Sequence, residues 1–116
     1  MKIFLNGSKV NFVDDNNVLL GFDYSQCCCE QFGWFIQDTI SEEADHTAES
    51  EVIPAESYEG WNFDPKWYGG GNDMAVFKIV KDGKEKYLHI YNHHNGYYGH
   101  GFEFKEGNEI LQQGCL

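Results

Sequence analysis

The chain has 116 residues and a formal net charge of -11, with nineteen acids against eight basic residues, all of them lysine. That balance disfavours nucleic-acid binding, which needs cations to displace counterions from phosphate, and the missing arginine removes the usual bidentate phosphate clamp. The length suits a single domain over 1–116, and 41% hydrophobic content fits a globular chain.

No apolar run approaches the roughly 20 residues that cross a bilayer. The start, Met1 to Gly7, reads as a strand and turn without the apolar stretch of a signal peptide. The expected location is the cytoplasm, or the host cytoplasm if the protein is virus-encoded. Cys27, Cys28 and Cys29 are consecutive and Cys115 lies far away, so neither a disulfide framework nor a Cys-x-x-Cys zinc pattern is present. Free thiols of this kind suit a reducing compartment.

In chain order, residues 2–25 read as a three-stranded meander. Asn6-Gly7 is a hairpin signal, and Asp14-Asp15-Asn16-Asn17 is a turn stabilised by its own side chains. Ser25 is a candidate N-cap for a short helix over about 27–37. There Cys28, Phe32, Phe35 and Ile36 form one apolar stripe, which predicts a buried, structural Cys28. Gly33 would let that helix approach the sheet, while Trp34 points elsewhere. Residues 38–59 carry eight acids and no base, which predicts a long acidic loop with at most an edge strand at Val52-Ile53. An aromatic stretch follows from Tyr58 to Tyr68, then Gly69-Gly70-Gly71-Asn72.

Met74 to Val80 and Lys86 to Tyr91 read as strands joined at Asp82-Gly83. A loop is expected from Asn92 to Gly101, then a strand carrying Phe102 and Phe104, a turn at Glu106-Gly107-Asn108 and a last strand at Ile110-Leu111. These elements together predict an α+β fold: a curved antiparallel, barrel-like sheet of about six strands with one short helix packed on it.

The densest chemistry lies in residues 91–102. Tyr91, His93, His94, Asn95, Tyr97, Tyr98 and His100 combine stacking rings, directional hydrogen-bonding groups and glycines that admit a close ligand. This is the composition of a pocket for a planar, polar small molecule. A packed aromatic loop is the plainer reading. A metal site is weaker, because adjacent His93 and His94 point to opposite faces of a strand and only one of them shares a face with His89. Gly70, Gly71 and Asn72 form a second candidate, since consecutive backbone N–H groups hold an anion without basic side chains. Catalytic signals are sparse: no nucleophile elbow, phosphate loop or His-Glu-x-x-His occurs, which leaves Cys27 or Cys29 with a histidine, or His100 with Glu103.

The residues Val10-Asn11-Phe12-Val13-Asp14, Val18, Gly21, Asp23, Cys28-Cys29-Glu30, Phe32-Gly33-Trp34 and His94 to Phe102 resemble a small uncharacterised family found in phages and their bacterial hosts. No activity is carried over with it. The resemblance implies a virus-encoded accessory protein concerned with host takeover or counter-defence. The leading expectation is a homo-oligomer that sequesters a small nucleotide-like host signal without cleaving it, and needs no cofactor. One alternative is an acidic interaction protein or nucleic-acid mimic that blocks a host defence protein through residues 38–64. The other is a small hydrolase or lyase using His94 or His100.

Overall fold

The computed structural model describes residues 1–23, 30–40, 58–70, 74–94 and 101–116, with the backbone alone for Glu30, Gln31, Phe32, His93 and His94. Ten strands are present among them: β1 Lys2–Asn6, β2 Lys9–Val13, β3 Val18–Asp23, β4 Glu30–Gln37, β5 Asn62–Phe63, β6 Gly69–Gly70, β7 Met74–Lys81, β8 Lys84–His94, β9 Gly101–Glu106 and β10 Glu109–Cys115. They form two antiparallel sheets. The first has the order β1-β2-β3-β9-β10 and the second β4-β8-β7-β5, with β6 also on β7.

Alternation builds the core. Val10 and Phe12 on β2, Leu20 and Phe22 on β3, and Phe102 and Phe104 on β9 meet Phe77 and Ile79 on β7 and Leu88 and Ile90 on β8. Rings bridge the gap edge-on: Phe63 lies 5.3 Å from Phe104, and Phe12 lies 5.2 Å from Trp34.

The expected α+β class is overturned. No helix occurs among the described residues, and the sheet is neither single nor closed into a barrel. The stretch expected as a helix over 27–37 is strand β4 from Glu30, paired with β8 from Glu30↔His94 to Gln37↔Tyr87. Trp34 and Ile36 pack against the inter-sheet core, while Phe35 is buried in a second cluster. A strand buried on both faces is apolar at adjacent positions, and such a run also satisfies a helical stripe. The aromatic and β-branched content favours the strand. Gly33 serves a close approach of another kind: a Cβ there would lie 2.5 Å from the Tyr91 hydroxyl. Cys28 and Val52-Ile53 lie outside the described residues.

The turns are closer to expectation. Asp82 and Gly83 both take positive φ, 51° and 79°, as a type I′ hairpin requires. At the first hairpin Asn6 already pairs with Lys9, and Gly7 (φ 62°) with Ser8 makes the turn, one residue later than expected. β8 runs on to His94, so Asn92 belongs to a strand and is fully buried.

Candidate functional site

The sandwich has two ends of different construction. At one, Asp14 is buried and accepts three backbone hydrogen bonds. Asn16 and Val18 donate to Oδ1 at 2.9 and 2.8 Å, and Phe63 of the second sheet donates to Oδ2 at 2.9 Å. The Asp15 N–H donates to Asn62 Oδ1 at 3.0 Å. A turn carboxylate thus also fastens one sheet to the other.

At the opposite end, the Asn92 side chain on β8 donates through Nδ2 to the Leu116 carbonyl at 2.9 Å. Leu116 directly follows β10, so this bond brings the Asp23–Gly101–Cys115 end of the first sheet beside the Glu30–Met74–His94 end of the second. The strand ends that bracket residues 24–29, 71–73 and 95–100 are therefore gathered at one end of the sandwich. In sequence, the cysteine triplet, the end of the glycine run and the His/Tyr stretch lie between those strand ends.

An open groove of about 800 Å³ crosses the outer face of the first sheet toward this end. Gly21 on β3 and Gly101 on β9 leave bare backbone in its floor, while Lys9, Asn11, Asp23, Glu103, Lys105 and Gln113 supply polar walls. Asn11 leans over Gly21: a Cβ there would lie 2.6 Å from Asn11 Oδ1. Lys105 Nζ pairs with Glu103 Oε2 at 3.2 Å. Two lysines face two carboxylates, so the walls are locally balanced in a strongly acidic chain. Cys115, also on the groove, is exposed.

The sequence-derived site residues divide by placement. Tyr91 is only 2% exposed, in a cluster with Phe35, Met74 and Val76 on the outer face of the second sheet. His93 and His94 end β8, opposite Gln31 and Glu30. Gly70 sits at φ 134°, and a Cβ there would collide with the Met74 carbonyl, so a side chain at this position is excluded. Gly71, Asn72, Asn95, Tyr97, Tyr98 and His100 lie outside the described residues, as do Cys27 and Cys29.

His89 is fully buried in the same outer-face layer, stacked on Phe35 at 4.3 Å and 9°. Its Nδ1 lies 3.0 Å from the Tyr87 carbonyl, within hydrogen-bonding distance. Burial lowers its pKa below 6.5, against the raising effect of the Tyr87 and Phe35 backbone carbonyls. Among the described residues no three His, Cys, Asp or Glu side chains are grouped to hold a metal, and no helix is long and apolar enough to cross a membrane.

The groove is what sequence reasoning missed. Its signal is subtle: glycine on the polar face of a strand, as at Gly21, leaves a gap that a flat ligand can fill. Comparison with protein-family models, characterised proteins and solved structures gives no match.

Proposed function

We propose that this chain is a binding protein that holds a small, planar, polar molecule of nucleotide type without cleaving it, at the end of the sandwich tied by Asn92 and Leu116. The observation that carries this reading is the gathering there of the strand ends that flank residues 24–29, 71–73 and 95–100, next to the glycine-floored groove. Residues 95–100, Asn-Gly-Tyr-Tyr-Gly-His, supply rings for stacking and amide or imidazole groups for directional hydrogen bonds. The candidate Gly70, Gly71 and Asn72, where β6 ends, would supply backbone N–H groups for an anion in a chain without arginine. The resemblance to phage-borne proteins supplies the setting, in which sequestering a host signal counters defence.

The test is mass spectrometry of small molecules released by heating protein that has been incubated with infected-cell extract. Release of an intact nucleotide-like molecule supports the reading. Release of an altered molecule shifts it to the hydrolase or lyase. Recovery of a host protein with no small molecule shifts it to the acidic inhibitor. Once a ligand is in hand, Tyr98→Ala is expected to weaken binding by about 1–3 kcal/mol while the thermal midpoint stays unchanged, the magnitude of one lost stacking face.

A further inference from the structure

Among the described residues β1 is the outermost strand of the first sheet and pairs β2 on its inner side. Phe4 is 52% exposed and Leu5 is 68% exposed. Successive strand residues face opposite ways, so apolar side chains stand in solvent on both faces of this edge. Edge strands are ordinarily guarded by charge, proline or a bulge. β1 has Lys2 at its start, no proline, and an unbroken register with β2. Residues 1–13 hold two lysines and no acid, in a chain of net charge -11. This is a segment at which two copies approach with little mutual repulsion.

The hairpin determines which backbone groups are open. A two-residue turn at Gly7-Ser8 makes Asn6 and Lys9 a hydrogen-bonded pair, and the antiparallel alternation makes Phe4–Asn11 and Lys2–Val13 the next such pairs. The N–H and C=O groups of Ile3 and Leu5 therefore point away from β2. We propose that β1 pairs antiparallel with β1 of a second copy, about a two-fold axis through Phe4. In that register Ile3 exchanges backbone hydrogen bonds with the second copy's Leu5, and Leu5 with the second copy's Ile3. Phe4 meets Phe4, and Lys2 meets Asn6, so no like charges oppose one another. Shifting the register by one pair places Ile3 or Leu5 beyond the end of the partner strand.

The pairing bears on the groove. Phe4 lies opposite Asn11, which lies opposite Gly21, which lies opposite Glu103. The two grooves then share one continuous outer face, with the paired Phe4 residues of both copies between them. The inference rests on this edge and stands or falls independently of the ligand. One short strand against another is a small contact, so a weak, concentration-dependent dimer is expected.

Sedimentation velocity on the full chain, from low micromolar to near-millimolar concentration, tests it. The expected result is a concentration-dependent dimer that Leu5→Pro and Phe4→Lys each weaken by at least about tenfold, with cooperative thermal unfolding retained. Leu5→Pro removes an N–H that β2 does not use, and Phe4→Lys alters only an exposed side chain. If Leu5→Pro fails to fold, Phe4→Lys decides alone. Under mild oxidation, Phe4→Cys chains are expected to join through that position, as peptide mapping will show. A monomer over the whole range, or a dimer that folded Phe4→Lys leaves unchanged, overturns the proposal.

Discussion

Where β2 turns into β3, one carboxylate ties the sandwich shut: Asp14 holds its own turn and the backbone of Phe63 in the other sheet. At the far end the corresponding tie is a single side-chain amide, Asn92 to Leu116, with the strand ends around it. The first arrangement gathers three backbone N–H groups on one buried carboxylate, whereas the second rests on the Asn92 amide, which donates to the Leu116 oxygen. Hydrogen bonds to a buried charge are worth roughly twice neutral ones. The comparison teaches that stability is concentrated at the end that has no candidate chemistry. The end with candidate chemistry is held more lightly.

The most damaging way to break that contrast is Asp14→Ala. It leaves the Val18 and Phe63 N–H groups buried without their acceptor and is expected to cost about 3–4 kcal/mol in urea-induced unfolding. Asp14→Asn keeps one acceptor oxygen and is expected to cost about half as much. A loss of under about 1 kcal/mol for the alanine variant would show that the two ends do not differ as described.

Asn92→Ala is expected to cost about 2 kcal/mol, through one hydrogen bond and a small cavity. It should also lower hydrogen-exchange protection at Gly101–Phe104 more than at Val10–Val13. Equal loss at both ends would contradict a local role for the tie.

His89 lies between the ends and gives a pH-dependent control. In the unfolded chain it takes up a proton near pH 6.5, whereas burial holds the folded pKa lower. As pH falls below about 6.5 the unfolded state binds the extra proton, so stability is lost until the folded pKa is passed. Thermal midpoints of the wild type are therefore expected to fall between pH 7.5 and 5 more steeply than those of His89→Phe. Parallel curves would remove His89 from the account.

The smallest effect is expected at the groove. Gly21→Ala puts a methyl group against Asn11 Oδ1, a side chain free to turn aside, so stability should change by less than about 1 kcal/mol. The same methyl fills the groove floor. Unaltered affinity for a ligand recovered from cell extract would separate the groove from the binding end.

Much of the first sheet was legible because its signals are local. Gly7 with its neighbours, Asp14 to Asn17, and the alternation at Phe102 and Phe104 each encode a turn or a half-buried strand on their own. β4 was not legible, because a covered outer face makes Phe35 as apolar in context as its inward neighbours Trp34 and Ile36. The ties were hidden for a related reason. Nothing near Asp14 in sequence announces Phe63, and nothing near Asn92 announces Leu116. Of the candidate site, the segments rich in Gly, Tyr and His stood out by composition. Their meeting at one end depends on pairings such as Phe22 with Phe102 and Glu30 with His94, which no local pattern encodes.

The groove draws its residues from both ends of the chain, β2 and β3 on one side and β9 and β10 on the other. Its two halves meet along the β3–β9 seam, where Val18 pairs with Glu106. By contrast β7 and β8 are joined by a tight hairpin and need close only a short loop. Closure across the longer separation is slower, so the β7–β8 hairpin is expected to form early and the β3–β9 seam late. Until then β3 presents an open edge to any neighbouring chain. Ligand binding at the groove would then count only molecules that have closed this seam, and a ligand added during refolding would raise the yield of native protein by trapping that late step.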